Sequence, residues 1–101
     1  MLTLYYITLN NADEALSISK DLLIRQLAVC TNWFPISCAY RWEGEIKQQQ
    51  EVVLIVKSKQ SMRDKIEETV KKHITYTNCI TELNTSYTNL PFLSWLEKEI
   101  P

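Results

Sequence analysis

The sequence predicts an α+β domain that runs strand, helix, strand, strand, helix, strand and then a short terminal helix. Three observations predict it. Apolar residues alternate along the chain between short continuous runs and a spacing near 3.6 residues. The single glycine, Gly44, stands between an aromatic-rich segment and a second apolar run. With no other glycine to take a positive φ cheaply, the chain uses it for a tight reversal, which makes residues 28–57 a long β-hairpin. Finally, 101 residues make one domain, residues 1–101, whose core is modest because so short a chain buries only about 60–65% of its unfolded surface.

Each element has its own signal. Leu2 to Leu9 is apolar on both alternating faces, as in a central strand. Asn11 with Glu14 three residues on resembles a capping box, and Ala15, Leu16, Ile18, Leu22, Leu23 and Leu27 then mark an amphipathic helix of about four turns. Ala28 to Trp42 is strand-like but carries Pro35, which needs an edge position or a bulge. A bulge flips the alternation, so the faces of Trp33, Phe34, Tyr40 and Trp42 stay open at this point. Glu45 to Gln50 is polar turn and strand-end material, and Val52 to Val56 reads as a strand covered on both faces. Met62, Ile66, Val70 and His73 form one stripe of a second helix. Asn78 to Thr85 is a fourth strand, and Thr88 or Asn89 caps a final helix with Pro91 in its first turn.

This order is the split βαβ, ferredoxin-like pattern, in which two helices cover one face of an antiparallel sheet. The long hairpin carries more aromatic and apolar residues than one face of a small sheet can hide, so a second subunit is expected over what the helices leave bare.

Composition narrows the function. Eleven basic and twelve acidic residues give a formal charge of −1, too little positive field for nucleic-acid phosphate or an anionic membrane. No run reaches the ~20 residues of a membrane span, and the first ten residues lack the features of a signal peptide, so a cytoplasmic setting is expected. The three cysteines, Cys30, Cys38 and Cys79, are odd in number and unpatterned, which points to free thiols. On one strand Cys30 and Cys38 would stand about 25 Å apart, far beyond disulfide reach. The sole histidine has no carboxylate at a telling spacing, and no nucleophile elbow or glycine-rich phosphate loop is present. No catalytic residue and no organic cofactor are expected. A Cys79–His73 pair would support thiol chemistry only if the fold brought the two within hydrogen-bond reach.

Residues 27–32 (LAVCTN), Pro35, residues 40–44 (YRWEG), residues 51–57 (EVVLIVK), His73 and residues 86–96 (SYTNLPFLSWL) together resemble the CutA family of divalent-cation tolerance proteins. The resemblance spans nearly the whole chain in order, and YRWEG followed by the apolar strand is its specific part. It implies a ferredoxin-like subunit in a compact homotrimer, similar in architecture to PII signalling proteins and linked to tolerance of copper and other divalent cations. In that frame Tyr40, Trp42 and Lys57 would line a ligand cleft, and Trp33, Tyr40 and Trp42 would pack at the trimer interface. Two departures stand out. The segment between Pro35 and Tyr40 is one residue short and lacks a glycine. Residues 73–80 retain only His73 and Ile80 of the family's His-Pro-Tyr-Glu-Val-Pro-Glu-Ile, with Cys79 in place of the second glutamate.

A Cu or Zn ion would use His73 with Cys79, joined by Cys30 of the same or a neighbouring subunit, since thiolate and imidazole suit softer metals. The competing reading keeps Cys30 and Cys38 as small buried residues, Lys57 as a strand-end lysine reaching water, and the aromatics as interface packing. The resulting expectation is a trimeric metal-binding protein. The alternative is a PII-like scaffold whose inter-subunit cleft takes a small molecule or a partner loop.

Overall fold

Four strands and three helices carry the chain in a computed structural model that describes residues 1–101. Strand β1 (Thr3–Leu9) leads to helix α1 (Ala12–Ile24). The long strands β2 (Cys30–Trp42) and β3 (Glu45–Ser58) follow, and a 3-10 turn (Gln60–Met62) enters helix α2 (Arg63–His73). Strand β4 (Ile80–Asn84) and helix α3 (Leu90–Glu99) complete the chain. The sheet is antiparallel in the order β2-β3-β1-β4, the ferredoxin-like arrangement.

Local chemistry accounts for the element ends. The Asn11 side chain accepts the Glu14 backbone N–H at 2.9 Å, and the Glu14 carboxylate in return accepts the Asn10 N–H at 2.9 Å. At the other end of α1, Gln26 takes φ 57°. Its N–H bonds to the Leu23 carbonyl and the Leu27 N–H to the Leu22 carbonyl. This is a Schellman motif built without glycine. Leu27 therefore lies beyond the helix and packs back into the core with Leu22. The hairpin turns over two residues, Glu43 at φ 49° and Gly44 at φ 81°, the two positive values of a type I′ turn.

The faces follow from the register. Tyr5, Ile7 and Leu9 of β1 and Val52, Leu54 and Val56 of β3 pack with Ala15, Ile18 and Leu22 of α1 and Ile66 and Val70 of α2. Leu16 and Leu23, expected among the packing residues of α1, are instead about 40% exposed, because Ala15, Ile18, Ser19 and Leu22 form the buried stripe. A second cluster, Leu2, Val29, Leu96 and Ile100, seats α3, and Leu4, Cys30, Phe92 and Leu93 pack against it. Two polar bonds clasp α1 to α2. Arg25 donates to the Thr69 hydroxyl at 2.7 Å, and His73 Nε2 lies 2.8 Å from Asp21 Oδ2.

Pro35 causes no bulge. Pairing runs residue by residue from Cys30↔Lys57 through Pro35↔Val52 to Trp42↔Glu45. An edge strand tolerates the missing N–H, and β2 is at the edge. The alternation is therefore unbroken, so Cys30, Phe34, Cys38, Tyr40 and Trp42 share one face and Trp33 the other. Residues 45–50, expected as turn and strand end, are full strand. The fourth strand is shorter than expected. At its start the Asn78 side chain takes the Thr8 carbonyl at 2.9 Å, and the Thr8 hydroxyl accepts the Cys79 N–H at 3.0 Å.

Beyond Val52 the hairpin outruns β1 and projects as an arm. The chain spans 46 × 27 × 21 Å with a radius of gyration of 14.4 Å, against about 12.7 Å for a compact domain of this length. It is this arm that shapes the site.

Candidate functional site

Because even residues of β2 and odd residues of β3 share a face, the inner side of the arm presents Cys38, Tyr40 and Trp42 next to Lys47, Gln49 and Glu51. Opposite lie the end of β1 at Thr8, Leu9 and Asn10 and the approach to β4 at residues 76–79. Between the two walls is an open groove of about 590 Å³, within the usual range of small-molecule sites.

Both walls are ordered by polar bonds. On the arm, Tyr40 donates its hydroxyl to Gln49 at 3.1 Å, and the Gln49 amide donates to Glu51. On the other wall, the Tyr76 hydroxyl donates to Glu14 at 2.6 Å and accepts the Asn10 N–H at 3.0 Å, which ties the loop after α2 to the start of α1. Burial and the hydrogen bond to the Glu14 carboxylate hold the Tyr76 phenol well above its ordinary range. Partial burial and then the neighbouring Glu51 carboxylate push the Cys38 thiol up. Cys79 is exposed, with its sulfur 3.1 Å from the Thr81 hydroxyl.

The sequence-derived site residues divide between different parts of the molecule. Tyr40, Trp42 and Cys79 line the groove. Lys57 does not line it. Its ammonium lies 5.5 Å from the centre of the Phe92 ring, a cation–π contact under α3. Cys30 pairs with Lys57, which pairs with Leu4, whereas Cys79 stands beside Thr8. Four residues along and three strands across separate the two cysteines by roughly 20 Å, so within one subunit they cannot bind a common ion. His73 points to Asp21 between the helices. No group of three His, Cys, Asp or Glu side chains within the chain is arranged to hold a metal ion. Trp33, on the opposite face from Tyr40 and Trp42, is 38% exposed, and Trp42 is 52% exposed.

Sequence reasoning missed three of these features. Asp21 is a carboxylate partner for His73, but it lies on another helix, 52 residues away. Tyr76 closes the loop that lost most of the familiar motif, a role visible only once α1 and the loop meet. The facing of Cys38, a weighed metal ligand that the sequence reads as a small buried residue, and that of Glu51 were accessible in principle. A two-residue turn at Gly44 sets the register, and an unbroken alternation through Pro35 then places both on the face of Trp42.

Comparison with known proteins gives these observations a context. Residues 3–99 match the family model described as CutA1 divalent ion tolerance protein. The divalent-cation tolerance protein CutA of Archaeoglobus fulgidus is 34% identical over 96 residues, 94% of each chain. That of Thermus thermophilus is 35% identical over 94 residues, 91% of each. A structure described as the periplasmic divalent cation tolerance protein CutA from A. fulgidus superposes over 100% of both chains with a TM-score of 0.95 at 33% identity. The divalent cation tolerance protein from T. thermophilus does so with a TM-score of 0.93 at 32% identity. Sequence and fold agree along the whole length: the chain belongs to the CutA1 divalent ion tolerance family.

Proposed function

We propose that this chain is a subunit of a cytoplasmic homotrimer that contributes to divalent-cation tolerance, copper included, by binding the ion without catalysis. The observation that carries the reading is the groove under the arm. A half-exposed Trp42, Tyr40 and a thiol line a concave wall that a single chain leaves open, and large aromatics of this kind are the usual anchors of subunit interfaces. Two unpaired sheet edges, β2 and β4, are available to neighbouring copies. The relatives named as divalent-cation tolerance proteins supply the ion class. Three free thiols fit a reducing compartment, and no helix is long and apolar enough to cross a membrane.

In a trimer, Cys30 and Lys57 of one subunit join the groove of another only if assembly brings them there. His73 becomes a ligand only by leaving Asp21. Sedimentation equilibrium together with calorimetric titration of copper and zinc tests the whole reading. The expected result is a trimer that binds the ion, with affinity falling as pH drops because thiol and imidazole must deprotonate. A stable monomer at micromolar concentration, or a trimer without affinity for either ion, would overturn it.

A further inference from the structure

We infer that helix α3 is a detachable strap: it opens as a unit while the sheet and the other two helices stay folded, and its opening gates access to the Cys30 thiol. What it covers is set by the register. Cys30 pairs with Lys57, Lys57 with Leu4 and Leu4 with Leu83, so these four side chains form one row on the sheet face that α1 and α2 leave free. The row crosses the start of β1, at the opposite end of that strand from the groove. Cys30 and Leu4 pack against the cluster that seats α3, and the Phe92 ring of α3 lies against the Lys57 ammonium.

Of the three helices, α3 has the slightest attachment. Helix α1 buries Ala15, Ile18, Ser19 and Leu22 and α2 buries Ile66, Thr69 and Val70, whereas within α3 only Leu96 is buried, joined by Ile100 just past its end. No backbone hydrogen bond joins α3 to another element, and its ion pair to the rest, Glu97 with Lys59 at 3.0 Å, reaches solvent at Glu97. Such pairs hold little. Helices α1 and α2, by contrast, are clasped to each other by the Arg25–Thr69 and His73–Asp21 contacts. The hinge is defined as well. The Thr85 hydroxyl donates to the Leu2 carbonyl and pins the end of β4, while beyond it Tyr87 is 81% exposed and Asn89 gives the helix no side-chain cap. A ten-residue helix does not persist alone in water, so release and loss of helix are one event, a local opening separate from that of the core.

Iodoacetamide alkylation of the intact, reduced protein, mapped to each cysteine by mass spectrometry, tests the strap. The exposed Cys79 should react fastest and the half-buried Cys30 slowly, through the open state. Leu96→Ala should raise the Cys30 rate by at least about 10-fold, because deleting a buried leucine side chain weakens whatever it anchors, and leave Cys38 and Cys79 at their wild-type rates. Leu54→Ala, which weakens the core under α1 and α2, should not change the Cys30 rate. In low urea the wild-type Cys30 rate should rise with a slope well below that of global unfolding, since one helix exposes only a small part of the surface. Equal acceleration by the two variants, or a urea slope equal to the global one, would show that Cys30 is reached only when the whole domain unfolds, and would overturn the inference. A Cys30 rate that Leu96→Ala leaves unchanged would overturn it too, since α3 would then not be the gate. Should Leu96→Ala not fold, the urea slope of the wild type decides the matter by itself.

Discussion

Strand β3 belongs to two regions that could hardly differ more. From Val52 to Val56 it is the interior of the domain: Val53, Leu54 and Val56 have no exposed surface, with β1 on one side and α1 and α2 packed over it. From Glu45 to Gln50 every residue is exposed, and Ile46 is 76% so. The arm has the same backbone hydrogen bonds to β2 throughout but no third strand and no helix. Pairing alone does not stabilise a ribbon in water, since isolated two-stranded hairpins are marginal. The contrast teaches that the helix-backed half is complete in one chain, while the arm leaves its aromatics uncovered.

The largest expected effect separates the two halves directly. Leu54→Ala should cost about 2–5 kcal/mol in the monomer and the assembly alike, because it leaves a cavity in a fully packed site. Trp42→Ala should cost less than about 1 kcal/mol in an isolated chain but about 3 kcal/mol or more in the assembled protein. Denaturant midpoints measured across a range of protein concentrations check this. Equal losses at high and low concentration for Trp42→Ala would show that the arm is stabilised within its own subunit.

A second effect is confined to the helix-backed half. The Tyr5 hydroxyl donates to the Lys59 carbonyl at 2.8 Å, and burial, reinforced by Glu82, pushes its phenol up to about 12. The folded state then holds a proton that the unfolded chain, titrating near 10, has already lost. Stability from this group is fully present below about pH 10 and declines as pH rises from 10 to 12, by at most about 1.4 kcal/mol per unit. Tyr5→Phe should flatten that alkaline slope. An identical slope in the variant would assign the loss to other groups.

What could be read in advance divides along the same line. The helix-backed half was legible because its signals are local: the cap at Asn11, the apolar run Val52 to Val56 and the stripe of Ile66 and Val70 each report a backbone state without reference to the rest of the chain. The turn at Gly44 was legible for the same reason. The groove was not, because its walls meet only through tertiary packing, and one ambiguity at Pro35 was enough to hide which arm residues share a face. The Asp21–His73 pair and the Tyr76–Glu14 bond are likewise long-range, joining residues 52 and 62 positions apart.

The His73 pair yields a smaller effect. Both side chains are about 30% exposed, so His73→Gln should destabilise by about 1 kcal/mol, in the range of a partly screened charge-assisted bond. The loss should be the same whether or not the arm is covered, since the pair joins α1 to α2. A double-mutant cycle with Asp21→Asn checks the coupling, and additive effects would show that the two side chains do not interact.

The smallest effect gives the sharpest test of the comparison, because it places the same backbone conformation in both regions. Gln26 at φ 57° ends α1 in the packed half, and Glu43 at φ 49° turns the arm. Each is a side-chain-bearing residue in the left-handed region, which glycine occupies without steric penalty. Gln26→Gly should raise global stability by about 0.5–1 kcal/mol, since the Schellman bonds to Leu22 and Leu23 must break whenever the domain unfolds. Glu43→Gly relieves a similar strain, but in an isolated chain an unsupported arm frays before the core opens, so the denaturant midpoint should barely move. In the assembly, where the arm is expected to be held by a neighbour, the two gains should become comparable. A gain from Glu43→Gly in a dilute monomer equal to that from Gln26→Gly would mean that arm and core unfold as one cooperative unit, and that the division drawn between them is wrong.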